Sequence, residues 1–158
     1  MTQQFNSLGA FAEHLATLAV AVGPRMHAGL DRAAAAVEAR AKAEIGTYQP
    51  AVGPYPEWAE LAESTQAERE RLGFTPNDPL LRTGGLRDSI GRTVGTDQAV
   101  IGSTSETMVF HEVGTERMPP RPVLAPALIA SEEEVKRALG SALFSAITPD
   151  GHRAEALP

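Results

Sequence analysis

Residues 92–103, RTVGTDQAVIGS, decide the fold class. RTVGT and QAVIGS alternate around Gly95–Asp97 in the pattern of two short strands joined as a hairpin. Everything else reads as helix or proline-rich loop. The expected fold is therefore α+β: a long N-terminal helix, broken or kinked once, and a C-terminal helix packed on a small, mostly antiparallel sheet, with proline-rich loops.

Upstream of the hairpin, Leu8, Phe11, Leu15, Leu18 and Val22 recur at three- and four-residue steps, one stripe of an amphipathic helix that starts near Asn6 or Ser7. Gly23-Pro24 then predicts a break or kink, after which Met26, Leu30, Ala34, Val37, Ala41 and Ile45 keep the same spacing. The small side chains of Ala33–Ala36 allow close helix approach; packing inside the chain is the favoured reading, with an oligomer contact as the alternative. From Gly46 to Pro56 three prolines forbid regular helix. A helix is expected over PEWAELAESTQAERERLG (56–73), with Trp58, Leu61, Ala62 and Thr65 on its apolar side and Gly73 at its end. Trp58 is the only tryptophan and is expected to anchor this helix rather than to stack on a ligand.

Downstream, TMVFHEV (107–113) fits a helical turn better than a third strand. MPPRPVLAP (118–126) has four prolines in nine residues and is expected to be extended and irregular. Leu128, Val135, Leu139, Leu143 and Ile147 then share a helical face, with Ser131 and Glu134 as a candidate capping box. One domain over 1–148 is expected, with 46–80 as a loop–helix–loop insertion and 149–158 as a flexible tail.

Composition narrows the function. The 158 residues are 42% hydrophobic and 22% charged, as in a soluble globular protein, but only 5% aromatic, so the core is expected to be thin. There is no cysteine, hence no disulfide, thiolate metal site or cysteine nucleophile. Neither a basic export leader nor an uninterrupted apolar span is evident, because Glu13 and His14 break the first apolar stretch; no membrane partner is expected. Net charge is −6, and segment 57–78 alone contributes −4, which disfavours a nucleic-acid binder that works by neutralising phosphates.

No catalytic, cofactor-binding or metal-binding constellation stands out. The histidines at 14, 27, 111 and 152 are far apart, and His111-Glu112 lacks the second histidine of a zinc-protease helix. His111 is read as structural or interfacial rather than catalytic. Ser89 in RDSIG does not match a nucleophile elbow, and Thr83-Gly84-Gly85 lacks the lysine of a phosphate loop, so its glycines are read as a tight turn. Arg82, Arg87, Asp88 and Arg92 cluster beside that turn, and Arg87 and Asp88 fit either a pair within the chain or a contact with a neighbour.

In order, PLLRTGGLRDSI (79–90), a hairpin ending VIGS and VFHEVGTERMPPRPVLAPAL (109–128) resemble the tail-completion or head-to-tail joining proteins of long-tailed bacteriophages and prophages. These are neck proteins also described as minor tail or virion morphogenesis components. The resemblance covers residues 80 to 130, with Leu81–Gly84, His111–Thr115 and Pro120–Pro122 at the family's motif positions. Val113 and Val123 depart from it, since aromatic residues are more usual there. The resemblance implies a structural virion protein and not an enzyme, with no cofactor. It implies a homo-oligomeric ring, a hexamer, at the head-proximal end of the tail, lying in the virion after assembly in the host cytoplasm. Adjacent neck proteins, the tail terminator and the head–tail connector, would be its partners, and DNA would pass through the channel without specific binding. Candidate interface residues are Arg82, Arg87, Asp88, His111, Glu112, Thr115, Pro120, Arg121 and Pro122. The alternatives are a tail terminator or head-completion adaptor of the same neck, or an assembly chaperone absent from the virion; a small hydrolase using Ser89 or His111 is disfavoured.

Overall fold

The structure, a computed structural model, describes residues 6–148. The expected flexible tail over 149–158 lies outside the described residues. The elements in chain order are α1 (Leu8–Glu44), α2 (Glu63–Arg71), α3 (Gly85–Asp88), β1 (Ile90–Val94), β2 (Ala99–Ser103), α4 (Thr107–Val113), α5 (Leu124–Ala130) and α6 (Glu132–Ile147). The fold is α+β, with α1 packed on α6, α5 and both strands.

Ser7 starts α1 as its spacing predicts: the extended Ser7 backbone lets its Oγ accept from the Ala10 N–H at 3.1 Å. The expected break at Gly23-Pro24 does not divide the chain into two helices, since α1 runs through Pro24 for 37 residues. Proline disfavours helix at the preceding residue by a clash with its Cβ, and Gly23 has none. Tertiary packing supplies the rest. Gly29 abuts α6 so closely that an added Cβ would lie 2.4 Å from Ala142 Cβ, and Arg25 donates to the Ser145 carbonyl. Because Arg25 lies opposite Ser145 and Gly29 opposite Ala142, the two helices run antiparallel. Ala33 and Ala34 are buried inside the chain, as the favoured reading of the alanine run has it.

The hairpin forms where the alternation places it. β1 and β2 pair antiparallel from Ile90↔Ser103 to Val94↔Ala99, and the Gly95 N–H closes the loop on the Gln98 carbonyl at 2.8 Å. The segment 107–113 is helix α4, not a third strand. The core cluster joins Ala41 and Ile45 of α1, Trp58, Ile90, Met108, Val123 and Ala127. Half of the twelve buried apolar residues are alanines, so burial here depends on close backbone approach rather than on large side chains.

Four sequence expectations need correction. The helix expected over 56–73 begins only at Glu63, because the main chain of 58–61 is engaged elsewhere: Trp58 N–H donates to the Gln49 carbonyl, Leu61 N–H to the Tyr48 hydroxyl, and the Ala59 and Glu60 carbonyls accept from Arg121. Trp58 therefore lies outside the helix it was expected to anchor and fixes instead the irregular segment before it, buried with its Nε1–H on the Pro122 carbonyl at 3.1 Å. The irregular run expected over 118–126 ends early, because α5 starts at Leu124 and admits Pro126 in its first turn, where no N–H is needed. No Ser131–Glu134 capping box forms. Ser131 (φ −95°, ψ 3°) is buried in a near-helical joint, not in the extended backbone a side-chain cap requires, and its hydroxyl makes no cap bond. Finally, the expected apolar face of the C-terminal helix is covered only in part. Val135 and Leu139 are half-buried beside the buried Ala142 and Ala146, as the close approach of α1 demands, whereas Leu128, Leu143 and Ile147 are exposed.

Candidate functional site

The site grows from the turn-rich stretch FTPNDPLLRTGG (74–85). Leu80 takes a left-handed conformation (φ 62°), uncommon for a non-glycine residue. It is held between Leu81 N–H on the Asp78 carbonyl and Gly46 N–H on the Pro79 carbonyl. Gly84 (φ 87°) opens α3 in the left-handed region, which is why a glycine stands there. Arg82 is exposed, with its guanidinium 4.9 Å from the centroid of the Phe74 ring.

Two buried arginines tie the surrounding loops together. Arg69 of α2, 9% exposed, donates to the Asp78 carbonyl at 2.6 Å and to the Thr75 carbonyl at 3.4 Å. Arg121, 3% exposed, donates through Nε and a terminal nitrogen to the Ala59 carbonyl at 3.1 and 2.8 Å, and to the Glu60 carbonyl at 3.1 Å. Burial lowers the Arg121 pKa; the Tyr48 side chain opposes this and the Arg69 charge adds to it. The planar fork of donors lets one side chain hold two carbonyls of a segment that has left the helix.

Between these loops lies a cavity of about 520 Å³. Arg69, Arg82, Arg121 and His111 bring its basic groups, Thr65, Thr83, Ser105 and Thr107 its hydroxyls, and Glu68 its one carboxylate. Leu61, Leu80, Leu86 and Met118 complete the wall. His111 is half-buried on α4; its carbonyl accepts the Arg121 N–H at 2.7 Å, and its Nδ1 is buried without a hydrogen-bond partner. Burial, reinforced by the Arg121 charge, lowers its pKa, so the ring is neutral at pH 7.

Next to His111, Glu112 serves the fold. Its Oε1 accepts the N–H groups of Val123 at 2.9 Å and Leu124 at 2.8 Å, capping α5 from a distant part of the chain. Glu44, at the end of α1, is buried with Oε2 unpaired. Burial raises its pKa to about 7, Arg40 pulling it down and the Glu112 carboxylate pushing it up.

Of the nine candidate residues, the fold thus gathers Arg82, His111 and Arg121 at the cavity. Glu112 and Pro122 are internal joints, the latter through its carbonyl on Trp58. Arg87 and Asp88 are exposed and pair with each other at 3.2 Å, the intrachain alternative. Arg92 reaches α1 instead, at 3.0 Å from Asp31 and 2.6 Å from Glu38. Thr115 and Pro120 are exposed on a separate turn closed by the Thr115–Met118 bridge. Ser89 Oγ lies 2.6 Å from the Leu86 carbonyl and 2.7 Å from Ser103 Oγ, with no hydrogen bond to His111 among the described residues. The sequence reading missed Arg69, Thr65, Ser105 and Thr107. Arg69 sits in the run AERER, where charge alone reads as a solvated face, and only its burial sets it apart from Arg71.

Comparison with known proteins finds similarity to a prophage protein over part of the chain. It is similar to Mu-like prophage FluMu G protein 1 of Haemophilus influenzae, with 37% identity over 68 residues. The match covers 42% of this chain and spans about half, 47%, of the relative's length. No family model and no solved structure matches the chain.

Proposed function

We propose that this chain is a structural, non-enzymatic protein of phage morphogenesis, a neck subunit of the tail-completion or head-to-tail joining type that forms a homo-oligomeric ring. The observation that carries this reading is an apolar surface open to solvent. Leu8 is 84% and Leu15 48% exposed on the first turns of α1, and Leu143, Phe144 and Ile147 are exposed on α6. These two sets lie towards the same end of the antiparallel helix pair, and large apolar side chains left exposed on neighbouring turns suit a protein contact. Similarity to a prophage protein supports a phage setting, and the motif order over 80–130 favours the neck. A closed ring needs two different complementary patches on each subunit; the α1 end and the α6 face can supply them. Net charge of −6 and the exposed Glu57, Glu60, Glu63, Glu68 and Glu70 suit a channel along which DNA slides without being held.

The test is electron microscopy of lysates from a phage or prophage that lacks the gene. Full heads beside separate tails of normal length, joined when the purified protein is added, are expected. Intact particles without the protein would overturn the neck reading. Tails of irregular length would favour a tail terminator, and rescue by a protein absent from purified virions would favour an assembly chaperone.

A further inference from the structure

We propose that the arginine-lined cavity between α2, α4 and the 74–85 turns is a recognition site for a carboxylate side chain on an acidic-apolar segment of a partner protein. This deepens the assembly reading by naming the chemistry of one contact. Arg69 and Arg121 are at least nine-tenths buried, yet their hydrogen bonds all go to main-chain carbonyls, and among the described residues no carboxylate lies within 4 Å of either guanidinium. Buried cations in proteins are normally paired with an anion. Among the described residues, Arg69 hydrogen-bonds through one terminal nitrogen alone and Arg121 through Nε and one terminal nitrogen, which leaves Nε and the other terminal nitrogen of Arg69 and one terminal nitrogen of Arg121 without a hydrogen bond, and both side chains line the cavity. Arg82 stands on the same wall, exposed, with its guanidinium over the Phe74 ring.

Three cations against one lining carboxylate, Glu68, favour an anion. The same inventory selects its kind. Glu57, Glu60, Glu63 and Glu70 are exposed on the segment that forms one wall, and they repel an extended phosphate backbone, charged at every unit, more than a short segment with one or two carboxylates between apolar residues. Leu61, Leu80, Leu86 and Met118 offer the stem and neighbours of a glutamate an apolar bed, and 520 Å³ is room for more than a bare ion. The threonine and serine hydroxyls can serve as additional donors to a carboxylate held by guanidinium groups.

The experiment titrates the full chain by calorimetry with the capped peptide acetyl-Leu-Glu-Glu-Leu-amide, its Gln-Gln counterpart, inorganic phosphate and a twenty-nucleotide oligothymidine. Binding of the Glu peptide, weakened roughly tenfold in the Gln-Gln version and in Arg82→Gln, is expected. Arg82→Gln is the variant of choice because the side chain is exposed and its melting temperature should match the parent; a second variant, Thr83→Val, checks the wall independently. Equal affinity for the two peptides, no effect of Arg82→Gln, or binding of oligothymidine or phosphate in place of the Glu peptide would each overturn the proposal. Particle rescue does not depend on this titration, so the cavity and the neck reading fail separately.

Discussion

The two halves of α1 carry the same apolar spacing and meet opposite surroundings. Gly29, Ala33, Val37 and Ala41 of the C-terminal half are buried, Gly29 directly against α6. Leu8 and Leu15 continue the stripe along the same side of the helix and are exposed, past the level at which α6 ends at Ile147, near Arg25. At 1.5 Å per residue the stretch before Val22 projects about 20 Å past that contact. Periodicity therefore identifies the face a helix offers and says nothing about whether its own chain covers that face. Leu8 and Leu15 lie on the uncovered half, whereas most buried positions of the covered half are glycine or alanine, as helices in close contact require.

The sharpest break of this contrast is a charge placed on each half in turn. Val37→Asp buries an unpaired carboxylate in the covered half and should cost at least ~3 kcal/mol, read as a lower urea midpoint or loss of the fold. Gly29→Ala tests the close approach alone. Its Cβ would meet Ala142 at 2.4 Å and the Ala138 carbonyl at 3.3 Å, so a loss of about 1–3 kcal/mol is expected despite alanine's better helix propensity; unchanged stability would show that the helices can part.

Glu44 extends the comparison into pH. Its folded carboxyl titrates near 7 against an ordinary 4.5, so the folded chain keeps a proton that the unfolded chain has released, and stability falls as pH rises between those values. Glu44→Gln should therefore be more stable than the parent by about 1–2 kcal/mol at pH 8, with the gap closing towards pH 4. Parallel denaturation curves across that range would contradict the burial argument. His111 acts in the opposite sense: its lowered pKa makes stability fall as pH drops below the ordinary histidine value of 6.5.

The smallest effect on stability belongs to the uncovered half. Leu15→Asp should change the isolated subunit by no more than ~0.5 kcal/mol while impairing assembly, seen as failure to rescue tail joining. A large loss of stability would mean that the arm serves the fold and not a partner.

Legibility in the sequence follows the range of the interactions involved. The hairpin is local: alternation on both sides of Gly95–Asp97 suffices, and β1 and β2 lie where the pattern places them. The Ser7 start of α1 and the left-handed Gly84 are local as well. The late start of α2 is not, because its would-be first turns are claimed by Gln49, Tyr48 and Arg121, partners no window around Trp58 contains. The capping of α5 by Glu112 escapes notice for the same reason, since the sequence beside Leu124 has no capping residue of its own. The cavity was half legible: Arg82, His111 and Arg121 stand in the motif-bearing stretch, while Arg69 comes from a charged run whose one buried member the sequence does not mark.

By itself, then, the sequence determined the α+β class, the hairpin and its loop, and the apolar side of α1, because these depend on near-neighbour periodicity and on backbone preferences of glycine, proline and serine. Tertiary structure alone decided that α1 passes unbroken through Pro24, which leucines remain in water, and that two buried guanidinium groups face one cavity. Those outcomes depend on which distant carbonyls, carboxylates and small side chains come within reach, and on no regularity along the chain.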